Sequence, residues 1–190
     1  MTSSDGHSWW FDSGALAIDF AYTGGLAKRP EWEQWHSPDD LAGWLAGRFP
    51  EVPVGVGERD LLDAKALRDA IARAVLAGSD DRPPAPEDVD VINLFAATPD
   101  IPPALVGGTR QAGRTTARVG QVLSLLARES VELFADDQRE RIRECAASDC
   151  EIVFYDESRS NNRRWCSMQR CGNRAKVRAH RAKEKESAVD

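Results

Sequence analysis

The run CAASDCEIVFYDESRSNNRRWCSMQRC, residues 145–171, contains all four cysteines of the 190-residue chain. They fall as two pairs of equal C-x4-C spacing, Cys145 with Cys150 and Cys166 with Cys171, separated by fifteen residues. A structural zinc ion takes four tetrahedral ligands, and two close pairs on turns let a chain wrap around it. Free buried thiols and two disulfides are the alternatives. The chain begins MTSSDGHSWW, without the basic start and apolar stretch of a secretory leader, and no apolar run reaches membrane-spanning length. We therefore expect a cytoplasmic protein that makes no membrane contact. Thiols stay reduced there, and the repeated spacing favours metal. No pair has the C-x-x-C form usual for redox motifs, and equal pairs beside a basic segment suit Zn2+ better than an iron–sulfur cluster. Four thiolates leave no open coordination position, so the one expected Zn2+ is structural.

The flanking residues suggest how the metal module folds. Glu151 to Tyr155 is strand-like, Asp156 to Asn162 is turn-rich, and helix formers run on from Cys171. Knuckle, strand or hairpin, and second knuckle feeding a helix describe a zinc-ribbon or treble-clef-like module. On a helix from Met168 onward, Met168, Ala175, Ala179 and Ala182 share one face beside Cys171, which we expect to pack on the zinc core. Arg170, Arg174, Arg178 and Arg181 form a stripe on one flank; Lys176, His180 and Lys183 lie on the other.

Charge singles out the same segment. Residues 1–140 carry 13 Lys/Arg against 23 Asp/Glu, whereas residues 141–190 carry 12 against 8. Arg159 to Lys183 holds nine Lys/Arg and no acidic residue. Such asymmetry points to a polyanionic partner, and arginine forks onto phosphate or guanine. The candidate nucleic-acid contacts are Arg163, Arg164, Arg170, Arg174, Lys176, Arg178, Arg181 and Lys183. A solvated terminal helix is the plain alternative reading of the same charges.

Residues 1–138 read as a mainly helical body, 139–186 as the zinc module and 187–190 as a frayed tail, giving an α+β chain. Ser37 as N-cap, Pro38 at the first helical position, and Asp39 and Asp40 in the first turn start one helix. Helices are expected over Glu58 to Ala77, ended by Gly78, over Glu87 to Ala97, and over Val119 to Ala135. Pro50 to Gly57 reads as a linker and Ile101 to Ala117 as a small β-hairpin; Phe11 to Thr23 is apolar and short, and periodicity does not choose helix or strand. No Ser/His/Asp or Cys/His set and no phosphate-cradling glycine loop is present, so we expect no enzyme and no catalytic residue. His36 reads as structural, Asp12 and Asp19 as caps or turn formers, and the tryptophans as core more readily than as a ligand pocket.

The cysteine pairs, the tetrapeptide Cys171-Gly172-Asn173-Arg174, and the Arg163-Arg164-Trp165-Cys166-Ser167-Met168 run together resemble the CGNR zinc finger. Residues 11–45 are similar to the start of the ABATE domain that accompanies that finger, through Ile18-Asp19-Phe20-Ala21-Tyr22-Thr23, Ser37-Pro38 and Leu41 to Leu45. Tyr22 stands where the resemblance leads one to expect asparagine. The resemblance implies zinc on the four cysteines, DNA binding through the basic residues, and a stress-induced transcription regulator. The resulting expectation is a DNA-binding regulator whose body senses a small-molecule effector or forms a homodimer. The alternative is a zinc-dependent adaptor docking an acidic protein, or an RNA binder.

Overall fold

The computed structural model describes residues 11–50, 54–102 and 117–187. Its body is helical. Helix α1 (Leu16–Tyr22) settles the undecided first segment: Ala17, Ile18, Phe20 and Ala21 are all buried, so no polar face marks a period. It lacks a cap of its own. The Glu129 carboxylate supplies one from far along the chain, accepting the Leu16 N–H at 3.1 Å and the Ala17 N–H at 2.6 Å.

Helix α2 (Pro38–Arg48) starts as its sequence dictates, with the Asp40 carboxylate accepting the backbone N–H groups of His36 and Ser37, each at 2.8 Å. Helix α3 (Glu58–Ser79) is the central element and packs against α1, α4 (Pro86–Ala96) and α5 (Val119–Leu133). It does not stop at Gly78 as expected. Gly78 instead gives the side chain of Ile142 room: an added Cβ would stand 3.1 Å from Ile142 Cδ1. Phe20, Trp35 and Trp44 pack ring on ring with centroids 5.4–5.9 Å apart, so these aromatics build core.

The segment read as a linker contains strand β1 (Val54–Gly55), which pairs in parallel with β2 (Ala117–Arg118). The hairpin expected over Ile101 to Ala117 falls largely on 103–116, outside the described residues. After α5 and the short α6 (Asp136–Arg139), strands β3 (Ile142–Glu144) and β4 (Val153–Tyr155) form an antiparallel pair, Arg143 opposite Phe154. Helix α7 (Asn173–Ser187) follows a π-type turn over Met168–Gly172.

The β3–β4 pair belongs to two cores at once. Ile142 and Val153 pack into the body core, while Ile152 and Phe154 pack with Cys145, Cys166 and Cys171 in a second one. Alternation along a strand is what permits this. The outer edge of β4 is also used: the Tyr22 hydroxyl bonds both the N–H and the C=O of Val153, each at 2.9 Å, and the Tyr155 N–H reaches Ser13 O at 2.7 Å. Between α1 and α2, a strap over residues 24–35 is locked to α3 by Arg68, which is 3% exposed and bonds both Glu33 oxygens at 2.8 and 2.7 Å. The strap then reaches the second core through Lys28–Glu144 and Arg29–Glu151 ion pairs, both at 3.1 Å.

Candidate metal centre

Strand β3 delivers Cys145, and β4 leaves from the far side of the same loop. The first knuckle is closed by the Cys145 N–H on Ile152 O at 2.8 Å and turned by the Cys150 N–H on Ala147 O at 3.0 Å. The Ala146 N–H on Arg164 O, at 2.9 Å, draws the second knuckle alongside. Between the knuckles, buried Asp156 organises the return: its carboxylate accepts the Ser158 N–H at 3.0 Å and the Arg163 N–H at 2.7 Å. Burial raises that carboxyl, but hydrogen bonds from Ser158 and the Arg163 N–H outweigh it and hold the group below the usual range. At the second knuckle an added Cβ on Gly172 would come within 2.6 Å of Met168 Sδ, so the exposed end of that methionine would have to shift. The π-type turn places Cys171 wholly inside.

The result is a cluster of four free thiols whose sulfurs all lie within 4.8 Å of one another. Cys150 and Cys166 sulfurs are 3.7 Å apart and those of Cys166 and Cys171 3.6 Å. Four sulfurs at about 2.3 Å from one ion stand about 3.8 Å apart on the edges of a tetrahedron. The donor set and its spacing thus fit zinc. Two further groups face the sulfurs: the Cys166 N–H lies 3.4 Å from Cys145 Sγ, and Arg174 Nη2 lies 3.4 Å from Cys171 Sγ. Such outer contacts orient metal ligands.

With protons alone the cluster is frustrated. Hydrogen bonds shared with Cys150 and Cys166 lower the Cys145 thiol, while the same sharing raises those of Cys150 and Cys166. A dication replaces those shared protons, and its uptake releases them. With every position taken by sulfur, the ion organises the fold and presents no site for a reacting water.

The basic residues divide into three groups. Arg163, expected on the outward patch, turns inward. Its guanidinium lies 4.3 Å over the Phe154 ring and donates to Asp12 O at 2.8 Å, Cys166 O at 2.7 Å and Trp165 O at 3.1 Å. That placement makes it part of the module's frame. Arg174 and Arg178 converge on Asp149 in the first knuckle, at 3.1 and 2.9 Å from Oδ2. The Arg178 bond leads the causes that hold the Asp149 carboxyl below its usual range. Arg164, Lys176 and Arg181 are exposed, Arg164 with its guanidinium 5.1 Å over the Trp165 ring; Arg170 is half-buried. The side chain of Lys183 lies outside the described residues.

The expected packing face of this helix is also different. Met168 is 51% exposed, Ala175 is half-buried and Ala179 is exposed; Ala182 lies outside the described side chains. Contact with the core ends in the first turn, because Cys171 and Gly172 already fill it. From Lys176 to Arg181 every residue is exposed.

Sequence reasoning gives Asp149 no role in this site; Asp156 and Tyr22 lie in the stretches that carry the family resemblance, but no structural role follows for them from the sequence. For Asp149 a signal exists, since Arg174 and Arg178 share a helix face at i,i+4 and an acid beside a ligand is a natural partner. No helix among the described residues is long and apolar enough to cross a membrane.

Residues 141–184 match the family model of the CGNR zinc finger, and residues 14–137 match that of ABATE, "Putative stress-induced transcription regulator". No curated protein matches the chain.

Proposed function

The chain belongs to the ABATE family and carries a CGNR zinc finger, and on that premise we propose that it is a DNA-binding transcription regulator. The observation that carries this reading is the helix that leaves the zinc cluster: anchored by Cys171, it is exposed at every position from Lys176 to Arg181. An anchored helix start with an unpacked cationic continuation can lie along phosphates or enter a groove. The reading is of a binding protein, not an enzyme. An effector or second copy bound to the body acts on the finger through Tyr22 and the strap, the elements that touch both.

The test is binding of the zinc-loaded full chain to random-sequence duplex DNA over a salt series. Arg174 is a poor probe because it touches a zinc ligand, so the informative variant is Lys176→Ala with Arg181→Ala. Removing one cation from a phosphate lowers the salt slope by about 0.9, so the double variant lowers it by about 1.8. Chelation of the zinc abolishes binding in the wild type. A zinc-loaded wild type that ignores duplex DNA at low salt overturns the proposal in favour of a protein-docking adaptor.

A further inference from the structure

Two arginines of the basic helix are already occupied. Asp149, on the loop between Cys145 and Cys150, takes Arg174 Nη1 at 3.1 Å and Arg178 Nη2 at 2.9 Å on the same carboxylate oxygen. The two cations are not equivalent. Arg174 also donates to Cys171 Sγ at 3.4 Å and its side chain is 36% exposed, so it serves as counter-ion to the sulfur cluster. Arg178 lies one turn further out, has a side chain 56% exposed, and bonds Asp149 through Nη2. Zinc on four thiolates keeps two negative charges. With Asp149 added, the negative charges of the cluster and this carboxylate exceed the two cations Arg174 and Arg178 by about one.

We propose that Asp149 is an internal stand-in for a phosphate: it occupies the Arg178 site in the free protein, and nucleic acid binds by exchanging a phosphodiester oxygen for this carboxylate. The inference rests on the DNA-binding reading and adds to it a built-in restraint on affinity. An ion pair this exposed is worth little on its own, so a phosphate can displace it. A phosphate oxygen offers the same acceptor geometry to a guanidinium. Discrimination follows as well. Weak polyanions fail to displace Asp149, and contacts made by the exposed Lys176 and Arg181 of the same helix hold a duplex in place while the exchange occurs.

The experiment compares the zinc-loaded full chain with Asp149→Asn, Arg178→Ala and the double variant, by anisotropy of a labelled random duplex from low to moderate salt. Asp149→Ser is carried alongside, so that a folding defect peculiar to one replacement does not decide the result, and zinc content and circular dichroism are measured for each. Removing one negative charge about 7 Å from a bound phosphate tightens low-salt binding about threefold. The gain shrinks above about 0.15 M salt as screening sets in. The part of the gain that comes from freeing Arg178 is absent in the Arg178→Ala background, so a gain as large there as in the wild-type background overturns the exchange and leaves only repulsion by Asp149. Unchanged or weaker binding by zinc-loaded Asp149→Asn overturns the inference and makes Asp149 a positioning residue for Arg178, leaving the DNA-binding proposal intact. Binding by Asp149→Asn alone supports the inference and shows the site is masked in the free chain. Absence of binding by every form overturns both.

Discussion

Replacing Tyr22 by Phe isolates the bond that joins the helical body to the zinc finger. The ring stays, including its edge-on contact with Phe11 at a centroid distance of 5.3 Å, so no cavity opens. What disappears is one hydroxyl that accepts the Val153 N–H and donates to the Val153 C=O, both at 2.9 Å. Val153 is fully buried, and its two backbone groups have no water to turn to. Orphaning a buried polar group costs about 1–3 kcal/mol, so the pair costs about 3 kcal/mol. In a chain of this length that lowers the melting temperature by roughly 6–12 °C. The assay is urea and thermal unfolding of the zinc-loaded protein, followed by far-ultraviolet circular dichroism, with zinc release to a chromogenic chelator as second readout. Tyr155→Phe is the comparison. Its hydroxyl makes one bond, to Gln138 Oε1 at 2.7 Å, from a half-buried position, and removing it costs about 1 kcal/mol. A Tyr22→Phe loss below about 1 kcal/mol, or zinc release no faster than in wild type, refutes the view that this hydroxyl fastens the two cores together.

Gly14→Ala tests the same seam from the backbone side. Gly14 has φ of +81°, and an added Cβ overlaps the Tyr155 carbonyl oxygen, so unfolding measurements should show a loss above about 2 kcal/mol; a smaller loss means the turn gives way cheaply. Glu33→Gln tests the strap lock. Burial alone raises the Glu33 carboxyl, but the Arg68 guanidinium bonds outweigh it and hold it at about 2 against an ordinary 4.5. A carboxylate lowered in the fold contributes stability above its unfolded value and loses it as pH falls through the folded one. The lock is therefore at full strength above about pH 4.5 and gone near pH 2. With the Glu33 side chain 27% exposed, the contribution is discounted to about 2 kcal/mol at pH 7. Urea midpoints across that range should show the variant destabilised at neutral pH and flatter on the acid side, and parallel acid limbs would exclude the lock.

What is legible in the sequence is governed by local chemistry. The paired cysteines, the Ser37-Pro38 helix start and the long α3 and α5 helices each declare themselves within a few residues, because caps, ligand spacing and amphipathic periods are short-range signals. The rest depends on distant partners. Helix α1 is capped by a residue 113 positions away from Leu16 and buries Ala17, Ile18, Phe20 and Ala21 in a single seven-residue stretch, too short for a cap or a period to reveal it. Gly78 looks like a stop and is a contact for Ile142, a choice made by tertiary packing. Arg163 reads as surface charge because composition does not show which guanidinium has an aromatic floor and carbonyl acceptors waiting for it. The alanine face of α7 follows from helical spacing, but the core it would meet is already filled by Cys171 and Gly172.

The consequence of the shared β3–β4 pair concerns how a signal can travel. A finger on a flexible tether reorients freely, and its affinity for nucleic acid is then indifferent to the body. Here no tether exists: α6 ends at Arg139, β3 begins at Ile142, and β4 is bonded on its outer edge by Tyr22 and Ser13. The strap locked by Arg68 and Glu33 reaches the knuckle through Lys28 and Arg29. Any rearrangement of α1 or of the strap must therefore move β4 or the first knuckle. That knuckle carries Asp149, the residue that occupies Arg178. A small displacement there acts on the basic helix by loosening an exposed ion pair, which takes little free energy. On the proposed reading, the weakest link between the body and the basic helix is the Asp149 carboxylate, through its exposed ion pairs with Arg174 and Arg178.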